Sequence, residues 1–139
     1  MFNTILVPLD MENDDPGSRA LPAAMELADK HGSKIILVHI IPNIPAIVAQ
    51  NLPEGHEKKV IAEITAEMQA LARKYDLAKD TRIRVIHGAV YPEIIECAEA
   101  ESVDVIIMAS HRPGLSDYLL GSVAARVVRH SKSSVLVLR

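Results

Sequence analysis

Apolar positions along the chain follow two alternating rhythms. Five short runs are almost unbroken: TILVPL (residues 4–9), KIILVHII (34–41), RIRVIH (82–87), VDVIIMA (103–109) and SVLVL (134–138). All are rich in Val and Ile, whose branched side chains suit the pleated surface of a strand. Four read as near-continuous apolar stretches, the pattern of strands covered on both faces. The third alternates, with Ile83, Val85 and His87 pointing one way and Arg82, Arg84 and Ile86 the other. That alternation predicts a strand with one wetter face, at an edge of the sheet.

Helical spacing fills the gaps. Asp15-Pro16 predicts a capped start with Pro at the first helical position. Ala20, Ala24, Leu27 and Ala28 then share a face, and Gly32 ends the segment. A second helix has Val60, Ile64, Met68 and Leu71 on one stripe. A third starts at Pro92 with Ile94, Ile95 and Ala98 apolar, and a fourth carries Leu119, Leu120, Val123 and Val127. Strict alternation of strand and helix predicts a three-layer α/β/α domain over residues 1–139. Its five-stranded sheet is mainly parallel, and right-handed crossovers place helices on both faces. Residues 42–56, PNIPAIVAQNLPEGH, are long and apolar for a loop. They read as a loosely packed cover with a short helical turn, or as a lid or partner surface.

Composition narrows the picture. The chain has 139 residues, 49% hydrophobic but only 3% aromatic, so the core is aliphatic and large enough to need neither metal nor disulfide. A net charge of -3 gives no basic face for nucleic acid. Cys97 is the one cysteine, which excludes an intrachain disulfide and suits a reducing compartment. The first residues, MFNTILVPLD, lack the basic start and long apolar stretch of a signal peptide, and no run approaches a membrane span. The expectation is a soluble cytoplasmic protein without a membrane partner.

Candidate chemistry gathers where strands end. In an open parallel sheet, ligands bind beyond the carboxyl ends of the strands, where the winding reverses. The first strand ends in Val7, Pro8, Leu9 and Asp10. Asp10 reads as a solvated loop acid or helix cap, or as an acceptor for ribose hydroxyls or a base amino group. Its position favours the second. The fourth run is the expected neighbour across the crevice. Beyond it, Gly121, Ser122 and Val123 open a helix whose free amides suit phosphate; an ordinary N-cap serine is the competing reading. His39 reads as a satisfied strand histidine, and His130 sits favourably near a helix end. His111 is the best exposed histidine, but no Ser–His–Asp or Cys–His set assembles around it. No HExxH or CxxC spacing marks a metal site. Cys97 beside an apolar helix face reads as inert.

Four pieces together resemble the universal stress protein family over essentially the full chain. They are ILVPLD, LVHII, Gly88 with Ile94, Ile95 and Ala98, and LLGSVAARVVRHSKSSVLVLR. The strings ASHRP and YLLGS are similar to the small enterobacterial F/G-type branch. Nucleotide-binding members carry G-x2-G-x9-G-[ST]. Here Ala109 and Arg112 replace the first two glycines, and eight residues, 113–120, stand in place of nine. Gly121-Ser122 matches. The resemblance implies a Rossmann-like fold that binds ATP, ADP or AMP, with Mg²⁺ accompanying a triphosphate. It implies adenine near Pro8, Leu9, Asp10 and Ile40, with Met108, Ala109 and Ser110 along the ribose and α-phosphate. Phosphates then reach Gly121, Ser122 and Val123, with His111 and Arg112 as side-chain contacts. It also implies a homodimer through residues 134–138, with pairing into a tetramer open. The functional expectation is a nucleotide-binding stress-response module acting through binding and oligomerisation. A nucleotide-free interaction protein and a slow ATPase are the alternatives.

Overall fold

A computed structural model describes residues 1–110 and 120–139 of the chain. Its strands are β1 (Thr4–Pro8), β2 (Lys34–Pro42), β3 (Arg82–Gly88), β4 (Val105–Ala109) and β5 (Ser134–Leu138). The helices are α1 (Ala20–His31), α2 (Ala46–Gln50), α3 (His56–Lys74), α4 (Val90–Ala100) and α5 (Ser122–His130). The strands form one sheet in the order β3-β2-β1-β4-β5. Every pairing is parallel, so the sheet is wholly rather than mainly so.

Strand period two sorts the core into two layers. Ile5, Val7, Ile35, Leu37, Val105 and Ile107 face α1 and α3, meeting Leu21, Ala24, Met68 and Leu71. Leu6, Ile36, Val38, Ile106 and Met108 face α4 and α5, meeting Ile94, Cys97, Ala98, Ala124 and Val127. These are the three layers that the alternating pattern predicts. The edge position of β3 follows from its charges. Arg82 and Arg84 both pair with Glu101 just beyond α4, Arg84 at 3.1 Å, on a face too wet for apolar cover.

Three local expectations shift. The first helix starts at Ala20 rather than at Pro16. Gly17 has φ +77, which a right-handed helix does not tolerate, so the helix begins beyond it. A Cβ on Gly17 would lie 2.6 Å from Leu21 Cδ1 and 3.0 Å from Leu9 Cδ2, so glycine lets this loop pack onto the core. The helix expected from Pro92 is α4, which starts at Val90, and Pro92 sits inside its first turn, where no amide donor is needed. In the last helix, Leu120 precedes the first turn, and Leu119 lies outside the described residues. The continuous apolar run of β5 does not signify burial on both faces either. It is an edge strand, and Leu136 is 39% exposed.

Cys97 is buried against the sheet. Burial pushes its thiol up, against the lowering effect of the neighbouring Arg84 guanidinium. A raised pKa leaves less of the reactive thiolate at pH 8. Cys97 in the native protein should therefore react with iodoacetamide at least roughly tenfold more slowly than in urea. Equal rates would show that α4 opens readily.

Candidate functional site

The winding reverses beside β1. From β1 the chain moves outward to β2 and β3, then returns to place β4 on the other side of β1. Past the carboxyl ends of these strands opens a cleft of about 560 Å³. It brings together most of the residues expected there. Pro8, Leu9 and Asp10 come from the end of β1, Ile40 from β2, and Met108, Ala109 and Ser110 from β4. Gly121, Ser122 and Val123 come from the start of α5. His111 and Arg112 lie outside the described residues.

One wall is apolar. Val38, Ile40, Ile94, Met108 and Ala124 line it, all but fully buried beneath the rim. The opposite lip is the loop from β1 to α1, with Asp10, Glu12, Asp15 and Arg19 exposed to the opening. Asp10 is held by its own turn. Its carbonyl oxygen accepts from the Asn13 N–H at 3.1 Å, and its Oδ1 accepts from the Glu12 N–H at 3.1 Å. Such an Asx turn fixes one carboxylate oxygen and leaves the other to a ligand.

The far end of the cleft is the amino end of α5. The helix begins at Ser122, and its N-cap is Gly121, with no side-chain cap bond. The serine is therefore not an ordinary N-cap. Instead the Gly121 N–H donates to Ser110 Oγ at 2.7 Å, tying the end of β4 to the start of α5. The Ser110 N–H in turn donates to Leu138 O at 2.8 Å. The fold itself does not demand glycine at 121. Its φ of -56 is open to any residue, and among the described residues an added Cβ would meet only Ser110 Oγ, at an ordinary 3.6 Å.

Sequence reasoning missed part of the lining. Val38 and Ile94 were legible only as core, and Ser18-Arg19 lay inside the expected helix. A glycine directly before Ser-Arg was the available signal of a turn at a helix entrance. A second hollow of about 520 Å³ lies at the opposite, amino end of β4 and β5. Its charged groups already have partners. The Asp104 carboxylate accepts from the Asn3 and Thr4 N–H groups at 2.8 Å, and Lys132 pairs with Glu99.

A doubly wound parallel α/β domain with a part-apolar, part-main-chain cleft at its switch point belongs to a class built to hold small ligands. Residues 1–139 match the sequence profile of the Universal stress protein family, and the chain belongs to that family. Universal stress protein G of Escherichia coli O157:H7 is 30% identical, over 100% of both chains. Universal stress protein MJ0577 of Methanocaldococcus jannaschii is 33% identical, over 100% of this chain and 96% of that one. A crystal structure of a universal stress protein in complex with cAMP superposes with a TM-score of 0.66 at 26% identity. The match covers 99% of this chain and 97% of that one.

Gly121→Ala should leave stability within about 1 kcal/mol of the parent, the usual range for an N-cap change. Urea unfolding midpoints check this. A larger loss would show that the glycine serves packing rather than the open cleft.

Proposed function

We propose that this protein is an adenine-nucleotide-binding stress-response module of the cytoplasm, a single domain that acts through binding and self-association rather than fast turnover. The observation that carries the reading is the cleft at the switch point, which gathers Asp10, an apolar wall and the amino end of α5. An adenine ring suits the wall beside Pro8, Leu9 and Ile40. Asp10 offers an acceptor for ribose hydroxyls or the base amino group. Met108, Ala109 and Ser110 run along the ribose, and Gly121, whose own N–H is taken by Ser110 Oγ, borders the phosphate while the amides of Ser122 and Val123 supply donors and a helix dipole. Mg²⁺ would accompany a triphosphate as its counter-ion. The relative whose structure holds cAMP supports this ligand class.

The site is tested by calorimetry with ATP, ADP and AMP, after chromatography of small molecules released by denaturing fresh protein. An adenine nucleotide at about one per chain is expected. Gly121→Val should lose binding by at least roughly tenfold, because a branched side chain then fills the phosphate approach. Unchanged affinity in that variant would displace phosphate from this position. Absence of any nucleotide affinity in the parent would favour a nucleotide-free interaction protein, and release of phosphate over hours would favour a slow ATPase.

Self-association is read from β5. This strand has β4 on one side and no strand on the other among the described residues. Leu138 O accepts from Ser110 N–H, and Ser134 N–H donates to Asp104 O, so the even-numbered residues of β5 bond inward. The amides of Val135 and Val137 therefore point to the free edge. Residues 42–56 leave the sheet from β2, with β1 and β4 between that strand and β5. An edge of this kind pairs antiparallel with its own copy about a two-fold axis and closes. Val137→Pro removes one outward donor and spares the inner ladder. Sedimentation should give a dimeric parent and a folded, monomeric variant. A monomeric parent or a dimeric variant would move the interface elsewhere.

A further inference from the structure

Among the described residues one polar or charged side chain is buried in the core: His39, 6% exposed. An imidazole in aliphatic surroundings is unfavourable unless it is hydrogen-bonded. His39 lies on β2 between Val38 and Ile40, whose side chains face α4 and α5. Strand alternation therefore turns His39 to the other side, beneath the loop that follows β1. Its Nδ1 is 2.9 Å from Leu9 O and 3.3 Å from Met11 N. These neighbours ask opposite things of one nitrogen. Leu9 O requires an N–H, and the Met11 N–H requires a lone pair. The contact to Leu9 has ordinary hydrogen-bond length and the one to Met11 is long. Nδ1–H donating to Leu9 O is the better arrangement.

Leu9 and Met11 flank Asp10. The backbone entering the cleft carboxylate is thus tied to one buried ring through Leu9 O, with Met11 N beside the same nitrogen, while the turn beyond closes on the Asp10 carbonyl and Oδ1. We infer that His39 is a positioning residue: it anchors the Leu9–Met11 turn and so sets where the Asp10 carboxylate meets a nucleotide. The role toward a ligand rests on the nucleotide reading above. The role toward the turn does not.

The test uses the full chain with His39→Leu, His39→Phe and His39→Asn, together with Asp10→Ala and the double variant. Leu and Phe remove the donor and keep the site apolar, and whichever unfolds at the parent urea midpoint is used. Asn restores an N–H at the same branch point as Nδ1. Two measurements are made. Backbone ¹⁵N order parameters for Asp10, Met11 and Glu12 should fall below the rigid-backbone value of about 0.85 in the apolar variant and return in His39→Asn. ATP affinity should fall roughly three- to tenfold in the apolar variant, the loss of one hydrogen bond, and recover in His39→Asn. The double variant should bind no more weakly than Asp10→Ala alone, because two residues acting through one contact do not add. Turn order parameters unchanged in a folded apolar variant would overturn the positioning role whatever ATP does. Additive losses of affinity would break the link to Asp10. A parent with no ATP affinity but a turn loosened by the apolar variant would sink the nucleotide reading and leave the anchor standing.

Discussion

The middle position of β1 is the constraint on which the other features depend. It is flanked by β2 and β4, both parallel to it, and three of its five residues are fully buried. Parallel neighbours require crossovers, and crossovers in one sheet are right-handed. Moving outward to β2 and β3 places α1 and α3 on one face. Moving the other way to β4 and β5 places α4 and α5 on the opposite face. At the carboxyl ends of β1 and β4 the connections diverge to opposite faces, and the backbone there is left uncovered. The cleft is a consequence of that winding before any side chain is considered.

Energetically the two apolar layers dominate. Among the described residues ten large side chains, Ile5, Leu6, Leu37, Met68 and Ile106 among them, are fully buried. Each contributes about 1.5–3 kcal/mol of burial. The ion pairs matter less. Lys74 with Asp15 and Lys132 with Glu99 join exposed groups, and such pairs contribute at most about 1 kcal/mol. Glu101, better shielded and shared by Arg82 and Arg84, makes the edge strand β3 compatible with its charges. On the α5 side, the Tyr91 ring lies against both Arg126 and His130, pinning α5 to α4 close to the cleft.

The cleft takes polar groups from the main chain at the start of α5 and from side chains of the β1–α1 loop such as Asp10 and Arg19. The start of α5 and the turn around Asp10 are set by the fold. Ser110 and His39 are the side chains that hold these two regions in place, one at the end of β4 and one within β2. Each joins elements far apart in sequence.

Much of this was legible from the order of residues alone. Five apolar runs separated by helical stripes dictate a parallel three-layer sheet, because buried strands and amphipathic helices have few ways to cover each other. The arginines of residues 82–84 marked an edge strand, Gly32 marked a helix end, and the strand-end rule placed Asp10 and Gly121 at a common cleft. Tertiary structure decided the rest. The start of α1 moved to Ala20 because of a backbone angle at Gly17, which packing against Leu9 and Leu21 imposes. The exposure of β5 arose from its place in the sheet, since an apolar run reads the same at an edge as at the centre. The partner of His39 could not be read at all. A hydrogen bond between residues thirty positions apart exists only once β1 and β2 are paired, and local sequence carries no trace of it.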